Sequence, residues 1–122
     1  MTQTLDIFKN EKNVRHFAPG EVIFSEGENG DYMCALIEGQ VTLLKGGRIL
    51  EEVMPGGIFG EMALIDKNLR SATATAQTEC KVALIDQRRF TFLIQMTPFF
   101  ALQVMRVMAQ RLRRSTQTDI TA

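Results

Sequence analysis

Between Phe17 and Ile85 the apolar residues come in short runs broken by glycine, proline and small polar residues, which is the punctuation of an all-β chain. Pro19-Gly20 marks a first turn, Val22–Phe24 a strand and Glu28-Asn29-Gly30-Asp31 a polar turn. Tyr32–Ile37 reads as a strand, Glu38-Gly39 as a tight bend and Val41–Leu44 as the next strand. Gly46-Gly47 then joins it to Arg48–Met54 through a two-residue hairpin of the primed type. From Ser71 the chain alternates: Ala72, Ala74 and Ala76 share one strand face, and Ser71, Thr73 and Thr75 the other. Lys81–Ile85 closes the set. Strands this short and numerous predict a mainly β fold, a barrel or roll with its edges joined.

On either side the period becomes helical. Thr4–Asn10 suits a short helix with Leu5, Ile7 and Phe8 on its apolar side. After Ile85, Asp86 is an N-cap for a helix over Gln87–Met96 whose apolar face is Phe90, Leu93 and Ile94. Thr97-Pro98 breaks it, and a second helix runs from there to Arg113-Arg114. That helix carries more apolar side chain than one stripe buries. Ala101, Met105, Met108 and Leu112 fall at a/d spacing, with Phe100, Val104 and Val107 on a neighbouring face. One face is expected to pack on the strands. The other is left for a lid, or for a partner helix in a homodimer or another protein.

The length of 122 residues is that of one domain, 1–122, with the strands over about 17–85 and the C-terminal helices over about 86–114. Lys+Arg and Asp+Glu both number 14, so no global charge steers the chain to nucleic acid or to an anionic membrane. No apolar run approaches the roughly 20 residues that span a bilayer, and the first residues lack the pattern of a signal peptide, so a cytoplasmic protein without membrane insertion is expected. Cys34 and Cys80 fall within strands and read as small buried hydrophobes. His16 is the single histidine, which rules out a His-based metal site and leaves it a structural role. Arg106, Arg111, Arg113 and Arg114 make the last helix basic at its end, which complements the helix dipole. Nucleic-acid binding is the other reading of these arginines, but no room for a helix-turn-helix follows them, so no nucleic-acid partner is expected.

The chemistry concentrates at Phe59-Gly60-Glu61-Met62-Ala63-Leu64 and, after a short loop, Arg70-Ser71-Ala72. Gly56, Gly57 and Gly60 free the backbone before an apolar segment long enough for one or two helical turns, with Glu61 in the first. A helix start directs unpaired N–H groups and partial positive charge outward, which suits a phosphate. Arg70, at the mouth of the alternating strand, can meet such an anion bidentately and stays charged when partly buried. Small residues beside it let a ligand approach the backbone. One acid and one base in a glycine-lined site describe a ligand with a hydroxyl edge and a single compact anion. Taken singly, the glutamate is also explained as a dipole partner and the arginine as a solvated loop residue.

Assembled, the pattern resembles the phosphate-binding cassette of the cyclic nucleotide-binding domain family, which includes the bacterial catabolite activator protein, protein kinase A regulatory subunits and cyclic nucleotide-gated channels. The family pattern is Phe-Gly-Glu, an aliphatic and a small residue, a loop, then Arg, a small residue and Ala; Phe59 to Ala63 and Arg70 to Ala72 carry every element. The resemblance covers about Phe17 to Arg114. It implies a β-roll of the double-stranded β-helix, jelly-roll-like kind, interrupted by the cassette and followed by two mobile C-terminal helices. It gives Glu61 the ribose 2′-hydroxyl and Arg70 the oxygens of the cyclic phosphate. Gly60 and the backbone N–H groups near Met62, Ala63 and Ala72 would complete the cradle, with Ser71 in reach of phosphate or base and Leu43 and Leu50 as walls for the purine. The function it implies is a cAMP receptor with no cofactor and no enzymatic step, signalling through its helices. Ser71 leaves cGMP open, a cyclic dinucleotide is a further alternative, and so is an interaction module whose pocket is vestigial. An enzyme acting on nucleotides is opposed by the absence of a nucleophile–base pair or second carboxylate beside the cassette.

Overall fold

The computed structural model describes residues 7–121, with side chains as far as residue 114. In chain order they form β1 (Val14–Phe17), β2 (Val22–Phe24), β3 (Tyr32–Glu38), β4 (Val41–Lys45), β5 (Arg48–Val53) and β6 (Ile58–Phe59). Then follow α1 (Glu61–Asp66), β7 (Thr73–Ala76), β8 (Cys80–Asp86), α2 (Gln87–Met96) and α3 (Pro98–Thr121). The strands make two four-stranded sheets, ordered β1-β8-β3-β6 and β2-β7-β4-β5, with antiparallel neighbours throughout. This is the expected mainly β roll with α1 inserted and two helices behind it.

The two sheets are built from different sequence because they are covered differently. In β3, Cys34 and Leu36 point into the roll while Met33 and Ala35 point out, and all four are buried. Their neighbours on β8 behave alike: Cys80 and Val82 face inward, Ala83 and Ile85 outward. A strand buried on both faces reads as a near-continuous apolar run, which both segments are. What covers the outer face is the helical layer, with Phe90 and Leu93 of α2, Phe100 and Val104 of α3, and Phe8 edge-on to Phe100 at 5.4 Å. In the second sheet the inner face is covered, and the outer face only in part. There Ala74 and Ala76 of β7 are fully buried, and Thr73 and Thr75 are half-buried on the other side.

Several boundaries differ from the sequence expectation. The roll begins at Val14, because β1 pairs along β8 from Val14 opposite Ala83 to Phe17 opposite Cys80. Strand β6, only two residues, pairs with Cys34 and Ala35. The N-terminal helix expected over Thr4–Asn10 falls partly outside the described residues; Ile7 and Phe8 are helical. Asp86 caps α2 as expected, its Oδ1 accepting from the Arg89 amide at 2.8 Å. Helix α3 bends away by 119° after Thr97 and continues past Arg113-Arg114 to Thr121. The arginines therefore lie within the helix, and the dipole at its end is not what they answer. On α3 one apolar face packs inward, as expected, and Met108 leaves the a/d set to join it. Phe100 and Val104 are buried, and Met108 leans on the same core as Val107. Leu102, Met105 and Leu112, with Phe99, remain exposed. No single helix among the described residues is long and apolar enough to cross a membrane.

Candidate functional site

The loop before β7 delivers Arg70, and α1 delivers Glu61. The backbone of Arg70 is braced to the β2–β3 turn on both sides, its N–H donating to the Glu28 carbonyl and the Gly27 N–H donating to its own carbonyl, each at 2.8 Å. Arg70 is 3% exposed. Nη1 donates to the Gly60 carbonyl at 2.9 Å and Nη2 to the Tyr32 carbonyl at 2.8 Å, with Nε buried and unpartnered. Gly60 itself has φ 77°, and a Cβ there would meet Arg70 Nη1 at 2.7 Å, so the cassette glycine answers both a backbone and a packing demand. No ion pair engages Arg70 among the described residues.

Glu61 opens α1 and is 1% exposed. Its partner comes from a part of the chain fifty residues away: Arg111 of α3 donates from Nη1 to Glu61 Oε1 at 2.7 Å. The same guanidinium donates to both oxygens of Glu51 on β5, at 2.9 and 3.0 Å, and from Nη2 to the Ile58 carbonyl at 2.8 Å. Arg114 adds a second ion pair to Glu51 at 3.1 Å. Burial alone would push the Glu51 carboxyl up, but the hydrogen bonds and charges of Arg111 and Arg114 outweigh it and hold the group below its ordinary range. Burial works against the Arg111 cation, yet Glu51 and Glu61 more than offset it and raise its pKa.

These groups line one cavity of about 510 Å³, within the range of small-molecule sites. Gly60, Glu61, Met62, Ala63, Arg70, Ser71 and Ala72 all contribute to its wall, as do Leu43 and Leu50. Leu43 is at the same time part of the inner core, and Leu50 is 36% exposed at the mouth. The sequence reading thus brought together residues that do share a cavity. It missed Phe24, Ile49 and Leu112 in the lining, and the cations Lys45, Arg48, Arg111 and Arg114. Phe24 carried only a core signal. Arg111 carried only a charge, in a cluster that read as a helix end. With five cations and Glu61 around one space, the wall is positive in a chain whose formal net charge is zero. The arrangement can receive an anion and can accept a hydroxyl's hydrogen bond. Among the described residues no group of three His, Cys, Asp or Glu is placed to hold a metal.

A family model for the cyclic nucleotide-binding domain matches residues 14–97, from the first strand through the end of α2. The chain belongs to the cyclic nucleotide-binding domain family. Its 34% identity to a CRP-like cAMP-activated global transcriptional regulator of Mycobacterium tuberculosis extends over 81% of this chain and 46% of that protein. The chain spans about half the length of the CRP-type relatives it matches. Among solved structures, cAMP-bound PfPKA-R (141–441) superposes with a TM-score of 0.80 at 25% identity, over 96% of this chain and 44% of that one. The EAL enzyme Bd1971 in its cGMP-bound form gives 0.64 at 32% identity, over 88% and 30% respectively, and a cAMP-bound form of the same enzyme gives 0.63. The family's regulatory and signal-transduction character accompanies these matches.

Proposed function

We propose that the chain is a cyclic-nucleotide receptor that takes cAMP in preference to cGMP and passes the binding event on through α3. The observation that carries this reading is one cavity walled both by a buried Arg70 with no carboxylate partner among the described residues and by a buried Glu61. In it Arg70 meets the cyclic phosphate, Glu61 receives the ribose 2′-hydroxyl, and the amides of Met62, Ala63 and Ala72 complete the cradle around Gly60. Ser71 lies in reach of phosphate or base, and Leu43 and Leu50 flank the purine. The M. tuberculosis relative's description as cAMP-activated and the cAMP-bound neighbour support the choice of ligand. Bd1971, with forms bound to each nucleotide, makes cGMP the second reading.

Transmission rests on Glu61, which bonds Arg111 of α3 at 2.7 Å. A ribose hydroxyl taken by the same carboxylate changes that link, and the ligand shifts α3 only by its differential affinity for the docked and released helix. The exposed Leu102 and Met105 suit an apolar helix of a second copy or another protein as the receiver. DNA is not proposed as a partner of this region. The arginines that read as a basic patch are in part turned inward, Arg111 and Arg114 onto Glu51 and Glu61.

The test is calorimetric titration with cAMP, cGMP and a cyclic dinucleotide, on the wild type and on Arg70→Ala. A hydrogen bond to a charged group contributes ~1.5–3 kcal/mol, so losing two should weaken binding on the order of a hundredfold or more. Binding unchanged in Arg70→Ala refutes the assignment of the pocket. No binding of any of the three nucleotides refutes the receptor and leaves the helical seam as the working surface.

A further inference from the structure

Arg70 is an arginine buried without an acid. Burial of an unpaired charge is expensive, and buried arginines are ordinarily met by carboxylates. Here two carbonyls take one N–H each from the two Nη atoms, and two aromatic rings flank the group: Cζ lies 4.0 Å from the centroid of the Phe24 ring and 4.7 Å from that of Tyr32. Both are inside the ~6 Å reach of a cation–π contact, which is strongest when desolvated. The β2–β3 turn is shaped to this arrangement as well. Gly30 abuts the guanidinium so closely that a Cβ there would overlap Nε and Cζ.

A ring face and a carboxylate differ in what they leave behind. A carboxylate cancels the charge and occupies the donor fork, so an incoming anion has to displace it. A π face stabilises the cation and consumes no N–H. Of the five guanidinium N–H groups, two go to backbone carbonyls and Nε–H has no partner.

We propose that Phe24 and Tyr32 are positioning residues for the anion site, holding the Arg70 guanidinium in place of a counter-ion so that its charge stays uncompensated until an anionic ligand arrives. The proposal deepens the receptor reading and shares its pocket, so its test uses a probe that needs no nucleotide. The Arg70 Nε–H resonance is followed by NMR in wild type, Tyr32→Phe, Tyr32→Leu and a protein carrying pentafluorophenylalanine at position 32. Inorganic phosphate is then titrated into each, followed by cAMP. The ring-current shift of Nε–H is expected in wild type and Tyr32→Phe and lost in Tyr32→Leu. Phosphate and cAMP affinity should be retained in Tyr32→Phe and fall by about tenfold or more in Tyr32→Leu. The fluorinated ring keeps the shape and reverses the quadrupole, so it must behave like leucine. Equal affinity of the phenylalanine and pentafluorophenylalanine proteins overturns the clamp. A phosphate response that tracks the ring, in a protein that ignores every nucleotide, upholds the clamp and overturns the receptor reading instead.

Discussion

Two arginines, Arg70 buried and Arg111 half-buried, line the same cavity and are held in opposite ways. Arg70, in the loop before β7, is surrounded by ring faces and backbone carbonyls and has no acid partner among the described residues. Arg111, on α3, spends its donors on Glu61, both oxygens of Glu51 and the Ile58 carbonyl. An arginine with its charge answered is a fastener; here it ties α3 to β5, β6 and α1. One whose charge is unanswered is a receptor, because the most favourable partner available to it is a ligand's anion. On the proposed receptor reading, the difference puts binding in the roll and response in the helix, and Glu61 is where the two meet.

The comparison breaks most sharply at Arg70→Lys. Lysine keeps the charge but loses the planar fork and most of the stacking, and as a compact, strongly hydrated cation it tolerates burial poorly. Affinity for cAMP should fall on the order of a hundredfold. A lysine protein that binds within roughly threefold of wild type would mean that point charge suffices and the fork is idle. The mirror experiment is Arg111→Ala. It leaves Glu61 buried with its carboxylate unanswered, so the denaturation midpoint should report a loss of ~2–3 kcal/mol, below the usual ~3–5 for a fully buried pair because Glu51 keeps access to water. Amide exchange across residues 98–114 should quicken. Unchanged exchange there would show that the helix is held by its apolar face alone.

Legibility followed the range of the interactions. Ala72, Ala74 and Ala76, the Gly46-Gly47 hairpin and the Asp86 cap are local devices, and their residues announce them within a few positions. The family motif made Gly60, Glu61 and Arg70 readable as a set. β1 was not readable, since Arg15 and His16 are both exposed and its four residues show no alternation. Nor was β6, which is a strand only because β3 lies beside it. The role of Arg111 depends on Glu51 and Glu61, sixty and fifty residues away, and no local pattern encodes such a pair. Tyr32 looked like one more strand residue; its ring matters because the fold sets Arg70 across from it.

A smaller effect separates the helix's two faces. Leu102 and Met105 are 40% and 57% exposed, so Leu102→Lys with Met105→Lys should change stability by no more than about 0.5 kcal/mol per site. Any self-association through the seam should vanish in sedimentation runs. Loss of folding in the double variant would instead mean that this face is buried in the working protein.

The smallest effect is a test by pH. The Glu51 carboxyl is held below its ordinary 4.5 by Arg111 and Arg114, against the upward push of burial. A depressed folded-state value means that the folded protein holds that proton less tightly than the unfolded chain does. The stability that Glu51 contributes is therefore present above pH 4.5 and is lost as the pH falls through the folded value. When Glu51 is protonated Arg111 loses the charged anchor that takes two of its hydrogen bonds but keeps its contacts with Glu61 and the Ile58 carbonyl, so α3 should loosen without leaving. Amide protection over 105–114, corrected for the intrinsic pH dependence of exchange, should drop below pH 4.5 while that of β3 and β8 holds. Glu51→Gln at neutral pH should reproduce the loosened helix and should show a flatter acid response than wild type. If the two proteins respond to acid alike, Glu51 is not the titrating anchor, and the clasp rests on the contact between Arg111 and Glu61.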